Sequence, residues 1–246
     1  MKSVYFLSDA HLGCRSIPHD RTRERRLVRF LDGIKDKASA VYLLGDIFDF
    51  WYEYKTVVPR GYTRFLGKLS ELADRGVEVH FFTGNHDIWC GDYLVKECGV
   101  TLHTEPMTVE MGDKVFMLAH GDGLGDPDRK FRFLRAVFRN RLCQRMFSCI
   151  HPRWAVDFGL SWAAHSRLKH GVEGGDPPYL GEDKEYLVRF AKEYLKAHSE
   201  INYFIFGHRH IELDLMLTRS SRVLILGDWI TPVSYTHLTL PTSDLV

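Results

Sequence analysis

Short, near-continuous apolar runs alternate along the chain with stretches whose apolar positions recur every three or four residues. The runs are VYFL (4–7), AVYLL (40–44), VHFF (79–82), VFML (115–118), YFIF (203–206) and VLIL (223–226). Each is four or five residues long and largely aromatic or β-branched, the pattern of strands buried on both faces. Between them the spacing predicts three helices. One covers 20–36, with Leu27, Phe30, Leu31 and Ile34 on a face behind Asp20 as N-cap. A second covers 61–74, with Phe65, Leu66, Leu69 and Leu72 ahead of an Arg75-Gly76 stop, and a third covers 183–197, with Leu187, Phe190, Tyr194 and Leu195. ELDLML (212–217) alternates strictly and is followed, after a short polar loop, by VLIL, which predicts an antiparallel hairpin. Strands and helices of these lengths in alternation read as α/β layers.

One region breaks the rhythm. From Leu124 to Val172 there are ten Arg/Lys against three Asp, a net +7. Phe131, Leu134, Phe138 and Leu142 recur at three or four, and Trp154, Phe158 and Trp162 recur at four. The spacing predicts a helical cap inserted over about 124–172, with GVEGGDPPYLGED (171–183) as the loop that returns the chain. After GDWI, sixteen residues carry two prolines and four threonines and lose the strand–helix rhythm. The domain is therefore set at 1–230, and 231–246 is expected to be a non-native or disordered tail, resembling translated vector sequence. His237 is left out of the site for that reason.

Composition adds limits rather than identity. With 246 residues, 45% of them hydrophobic and 26% charged, the chain is long enough for a sizeable core and is not disordered. A net charge of +1 gives no global footprint for nucleic acid, and none is expected as a partner. The opening apolar run, Val4 to Leu7, is too short for a signal peptide, and no run approaches the ~20 residues of a membrane helix. Five cysteines without a Cys-x-x-Cys pair fit a reducing compartment. A cytoplasmic protein is expected, one that could still lie against a membrane.

The thirteen histidines change the picture through their placement. Asp9 and His11 follow the first run, Asp46 the second, and Asn85, His86 and Asp87 the third. His120 and Asp122 follow the fourth, His208 and His210 the fifth. Ligands of open α/β sheets bind beyond the carboxyl ends of the strands, and here five strands each deliver metal-competent groups to that edge. Asp9, His11, Asp46, Asn85, His120, His208 and His210 offer carboxylate, imidazole and one amide oxygen but no thiolate, which suits Mn, Fe or Zn. Seven such groups exceed one tetrahedral set and fit two ions sharing a carboxylate. Any one of these motifs alone is commonplace; their conjunction is not.

The ordered blocks D-x-H, G-D, G-N-H-D, a post-strand His and G-H-x-H resemble those of the calcineurin-like metallophosphoesterases, from Lys2 to about Trp229. The resemblance implies a β-sandwich flanked by helices. It also implies one ion on Asp9, His11, Asp46 and His210, and another on Asp46, Asn85, His120 and His208, with Asp46 bridging. The chemistry implied is in-line attack of a metal-activated water on a phosphate ester or anhydride. His86, one residue from a ligand, is then the catalytic group that stabilises the transition state or protonates the leaving oxygen, with Asp87 available to orient it.

Within that superfamily FLSDAHLG, YLLGDIFDFW (42–51), GNHD before Ile88-Trp89, HGDGL before Asp126 and Asp128, and LGDW (226–229) resemble the UDP-2,3-diacylglucosamine pyrophosphohydrolases of bacterial lipid A synthesis. That subgroup cleaves a nucleotide-sugar lipid to UMP and 2,3-diacylglucosamine 1-phosphate and carries a helical cap at the position of 124–172. It has arginine where this chain has His86. The resemblance implies two divalent ions, expected to be Mn(II), an amphiphilic nucleotide-sugar lipid as substrate, and peripheral contact with the inner leaflet of the bacterial inner membrane. The cap's mixture of basic and aliphatic residues agrees with such a substrate, and Asp122, Asp128, Arg132, Arg135, Phe138, Arg139 and Leu142 are the substrate-binding candidates. A phosphoesterase for another nucleotide or phosphoester is the alternative, and a non-catalytic metal-binding module a third.

Overall fold

The structure, a computed structural model, describes residues 2–15, 20–169, 179–230 and 238–241. Its elements run β1 (Ser3–Leu7), α1 (Asp20–Ile34), β2 (Ala38–Leu44), α2 (Thr63–Asp74), β3 (Glu78–Phe82), α3 (Tyr93–Cys98), β4 (Thr101–His103), β5 (Met107–Met111) and β6 (Lys114–Ala119). They continue with α4 (Arg129–Arg139), α5 (Arg141–Ser148), α6 (Pro152–Lys169), α7 (Tyr186–Ala197), β7 (Tyr203–Phe206), β8 (Leu213–Met216), β9 (Arg222–Ile225) and β10 (Leu238–Pro241).

Two five-stranded sheets form, in the orders β10-β1-β2-β3-β4 and β5-β6-β7-β9-β8. β1 to β4 run parallel, as do β6, β7 and β9. The outer pairs β1–β10, β5–β6 and β8–β9 are antiparallel, the last being the hairpin that the sequence predicts. Alternation along each parallel strand explains the layering. Tyr5, Leu7, Val41, Leu43 and Phe81 face α1, α2 and α3 in one core, around Leu27, Leu31, Phe65, Leu69 and Leu94. Val4, Phe6, Tyr42, Leu44 and Phe82 meet Phe116, Leu118, Ile205 and Leu224 between the sheets. Phe204, Phe206, Val223 and Ile225 pack on Leu187, Val188 and Ala191 of α7. The plain α/β layering of the sequence is thus a two-sheet sandwich with helices outside.

α4, α5 and α6 occupy the region expected to be a cap. They meet the body at a small cluster of Phe50, Tyr52 and Leu160, where three body side chains also donate to cap carbonyls. Trp89 Nε1 donates to Phe138 O at 2.7 Å, Tyr52 Oη to Gln144 O at 2.8 Å and Tyr54 Oη to Ile150 O at 3.1 Å. No helix among the described residues is long and apolar enough to cross a membrane. The return loop is described only from residue 179, and of the segment expected to be a tail, 231–246, only 238–241 are described; β10 pairs with β1 there, Ser3 opposite Pro241.

Candidate metal centre

The carboxyl ends of the parallel strands of both sheets meet at one edge. Asp9 and His11 follow β1, Asp46 follows β2, and Asn85 and His86 follow β3. His120 follows β6, and His208 and His210 follow β7. The chain reaches this arrangement at a conformational cost. Among the described residues, six that are not glycine have positive φ, and Asp9, His11, Asp46, His208 and His210 are five of them. Left-handed backbone is unfavourable for such residues and persists where surrounding structure over-determines it. Two glycines admit the close packing: a Cβ at Gly84 would collide with the Asp46 side chain and amide, and one at Gly207 with Ser8 and Asp9.

Side chains converge on two centres. His11 Nε2 and His210 Nε2 lie 3.1 Å apart, 3.7 and 3.3 Å from Asp9 Oδ1. Around Asp46 Oδ2 stand His120 Nε2 at 3.4 Å and His11 Nε2 at 3.8 Å. His120 Nε2 is also 3.3 Å from Asn85 Oδ1. Among the described residues, three groupings have ligand atoms close enough to share an ion: Asp9, His11 and His210; Asp46, His120 and His208; and His11, Asp46 and His86. Asp9 Oδ2 accepts from the His208 amide at 2.9 Å and from the Ser8 hydroxyl, whereas the buried Asp9 Oδ1 has no hydrogen-bond partner. A buried carboxylate oxygen without a donor, facing two imidazole nitrogens, fits a cation, and the hard oxygen and imidazole donors fit a divalent one. The cluster is a dinuclear metal-binding site.

Its electrostatics are those of a site built around positive charge. Burial opposes ionisation of Asp9 and Asp46, but the charge of His210 at the first and of His120 at the second holds both carboxyls well below their ordinary range. Burial likewise opposes protonation of His120 and His210. Asp46 lifts the former to about 10, and Asp9 with Asp228 lifts the latter to about 10. Burial and the neighbouring His120 push His208 down to about 3. Protons on two imidazoles therefore balance two carboxylates in the metal-free cluster.

Asp87, expected to orient His86, does something else. Its buried carboxylate accepts from the backbone amides of Gly84 at 2.7 Å, Ile47 at 2.8 Å, and Asp46 and Phe48 at 3.3 Å, tying the loop after β3 to the loop after β2. Burial and the charge of Asp46 push its carboxyl up to about 7. The group beside His86 is Asp49, whose carbonyl takes His86 Nδ1 at 2.9 Å and whose Oδ1 lies 3.6 Å away. Asp49 also sits 3.3 Å from His11 Nδ1, and Asp228 sits 3.0 Å from His210 Nδ1. Neither residue was singled out from the sequence. Asp49 closes GDIFD, three residues after Asp46, and Asp228 follows β9 as Asp9 follows β1, so position after a strand was the available signal.

The cap candidates divide. Arg135 and Phe138 line an apolar cleft with Asn85, His86, Phe131 and Trp162. Asp122 is buried and paired with Arg135. Arg139 turns to Glu105 at 2.8 Å and the Thr104 carbonyl at 3.0 Å. Asp128 is the N-cap of α4, accepting from the Lys130 amide at 2.8 Å. Arg132 is exposed, and Leu142 is 66% exposed and outside the cleft lining.

A family model described as calcineurin-like phosphoesterase matches residues 2–212. A UDP-2,3-diacylglucosamine hydrolase of Porphyromonas gingivalis is 46% identical over 241 residues, spanning 94% of this chain and 92% of that one. The protein of the same description from Neisseria meningitidis is 30% identical over 237 residues, spanning 93% and 90%. That from Haemophilus influenzae is 27% identical over 232 residues, spanning 93% and 91%.

Proposed function

The chain belongs to the calcineurin-like phosphoesterase family, and from there we propose that it hydrolyses the pyrophosphate bond of UDP-2,3-diacylglucosamine, giving UMP and 2,3-diacylglucosamine 1-phosphate. The observation that carries this reading is the cleft. Asn85 and His86 share its wall with Phe131, Leu134, Phe138, Phe147, Phe158 and Trp162, so an apolar channel ends beside the metal cluster. A soluble nucleotide would leave that wall unused; a diacylated sugar fills it while its phosphates reach the cluster.

Asp9, His11, Asp46 and His210 are assigned to one ion and Asp46, Asn85, His120 and His208 to the other, with manganese the preferred metal. Two divalent ions there supply positive charge for the non-bridging phosphate oxygens and lower the pKa of an attacking water. The protein's own part is placement. The His86 amide donates to Asp46 Oδ1 at 2.8 Å, fixing the shared carboxylate. His86 Nδ1 lies 2.9 Å from the Asp49 carbonyl, and His86 is assigned to the substrate as a phosphate clamp or, when protonated, a proton donor. Arg135, held by Asp122, stands where the polar cluster gives way to the apolar cleft and is assigned to the pyrophosphate or sugar. Trp154 and Phe158 of α6, 69% and 56% exposed, with Arg145 and Arg153 nearby in sequence, support a peripheral position at the cytoplasmic face of an anionic membrane.

The test is hydrolysis of UDP-2,3-diacylglucosamine in detergent with Mn(II), beside UDP-N-acetylglucosamine and a nitrophenyl phosphodiester. The reading expects the diacylated substrate to be preferred in kcat/KM by orders of magnitude. Equal or better turnover of the small esters would replace it with a phosphoesterase of soluble substrates.

A further inference from the structure

The cluster's imidazoles are backed differently in its two halves. His11 Nδ1 lies 3.3 Å from Asp49 Oδ1 and His210 Nδ1 lies 3.0 Å from Asp228 Oδ2, and both carboxylates are buried. In the other half His120 Nδ1 meets a neutral group, the Leu44 carbonyl, at 2.8 Å. A carboxylate only accepts, so the bond from His210 places a proton on Nδ1 and faces Nε2 toward Asp9 Oδ1 and His11 Nε2, where loss of its own proton would free a lone pair for an ion. A negative charge behind the ring also makes that lone pair a stronger donor than a carbonyl would.

Asp228 is itself held firmly. Its other oxygen accepts from the Ile230 amide at 2.9 Å. The next residue, Trp229, donates its amide to the Asp9 carbonyl at 3.2 Å. Arg26 of α1 donates to the Trp229 carbonyl and lies 5.6 Å over its ring. The loop after β9 therefore reaches Asp9 through its backbone and His210 through its side chain, two groups of one half of the cluster.

We infer that Asp228 is a positioning residue that fixes His210 with Nδ1 protonated and, together with Asp49, makes the Asp9–His11–His210 half the tighter of the two metal positions. This rests on the two-ion assignment above. Metal-stripped wild type, Asp228→Asn and Asp228→Ala would be titrated with Mn(II), free ion being followed by electron paramagnetic resonance. Solvent exchange of the His210 Nδ1–H would be read by 15N-histidine NMR. The expected result is two classes of site in the wild type. Asp228→Ala should weaken the tighter by about 10–100-fold and leave the weaker unchanged. Asp228→Asn, which keeps an acceptor oxygen, should lose less. The Nδ1–H should exchange slowly in wild type and fast in Asp228→Ala.

Unchanged tight binding in both variants, or a loss confined to the weaker class, would overturn the assignment. So would fast Nδ1–H exchange in the wild type. If Asp228→Ala does not fold, Asp228→Asn and the wild-type exchange rate still decide. A wild type that binds no Mn(II) would strike the two-ion assignment instead, and the exchange measurement, readable without metal, would still show whether Asp228 holds the ring.

Discussion

The strand-end edge and the cap solve opposite problems. At the edge, Asp9, His11, Asp46, Asp87 and His120 are all buried, five of the cluster's residues sit in left-handed backbone, and single carboxylates are shared among several donors. Such strain is sustained because two sheets, the loops after six of their strands and α1 hold it together. In the cap, α4 and α5 bury no residue at all, and Phe133, Leu142, Met146, Trp154 and Phe158 are all more than half exposed. The body holds reacting groups in place before anything binds. The cap carries large apolar side chains that the described residues leave exposed. Chemistry and substrate choice therefore belong to separable parts of the molecule, and substitutions should separate them.

The largest effect is expected at the carboxylate both halves share. Asp46→Ala should reduce turnover to background and bring metal content well below two ions per chain by elemental analysis; near-normal activity would end the two-ion account. Next comes His86. His86→Ala should keep both ions and lose ~10²–10⁴ in kcat. His86→Arg keeps a phosphate clamp but not a transferable proton, and with a phosphate leaving group it should retain most activity on the UDP-sugar lipid. A variant as inactive as His86→Ala, with both ions bound, would show that the proton is needed.

Metal uptake should depend on pH in one direction. His120 and His210 stay protonated to about 10 in the metal-free cluster, and those protons must leave before the nitrogens can ligate. Affinity should therefore rise as pH rises, with proton release visible as a buffer-dependent enthalpy in calorimetry. A pH-independent affinity would mean that these imidazoles do not ligate. Asp87→Ala should act on stability, because it strips acceptors from four buried amides at about 1–3 kcal/mol for each left unpaired. At about 2–4 °C per kcal/mol for a chain of this size, even the low end of about 4 kcal/mol lowers Tm by roughly 8–16 °C, with Asp87→Asn milder.

The smallest effects belong to the cap. Phe138→Ser should raise KM for the diacylated substrate and spare a nitrophenyl ester, if acyl chains rest on the part of the cleft that Phe138 lines. Leu142→Ser, outside that lining, should change stability by no more than about 0.5 kcal/mol. Equal losses on both substrates for Phe138→Ser would make it a packing residue and erase the division between cap and body.

The sequence discloses the two regions unevenly. Strands with continuous apolar runs, and helices with long amphipathic faces, were found within a few residues; β4, β5 and α3 were not, being three to six residues long or, in β5, mixed in polarity. The groups that converge at the strand-end edge are legible because each follows such a run by one to four residues, so locating the strand locates the side chain. Asp87 misled because neighbours in sequence need not touch: next to His86 in the chain, it points into the loop amides. Asp49 and Asp228 share the position after a strand, but nothing local reports that they meet His11 and His210 across loops. In the cap, helical spacing places Phe138 and Leu142 on one stripe, but α4 ends at Arg139 and α5 starts at Arg141, and this break sends the two residues to different surroundings.

β1 carries the strand edge from which Asp9 departs, and on one side its partner is only the four residues of β10, paired from Ser3 to Phe6. Peel that short strand away and a row of unpaired amides and carbonyls would lie open beside β1, a template onto which a second chain could add its own strand. Self-association, rather than slow turnover, would then be the first symptom of disturbing residues 238–241, visible as concentration-dependent growth in particle size while the metal cluster in each copy is still intact.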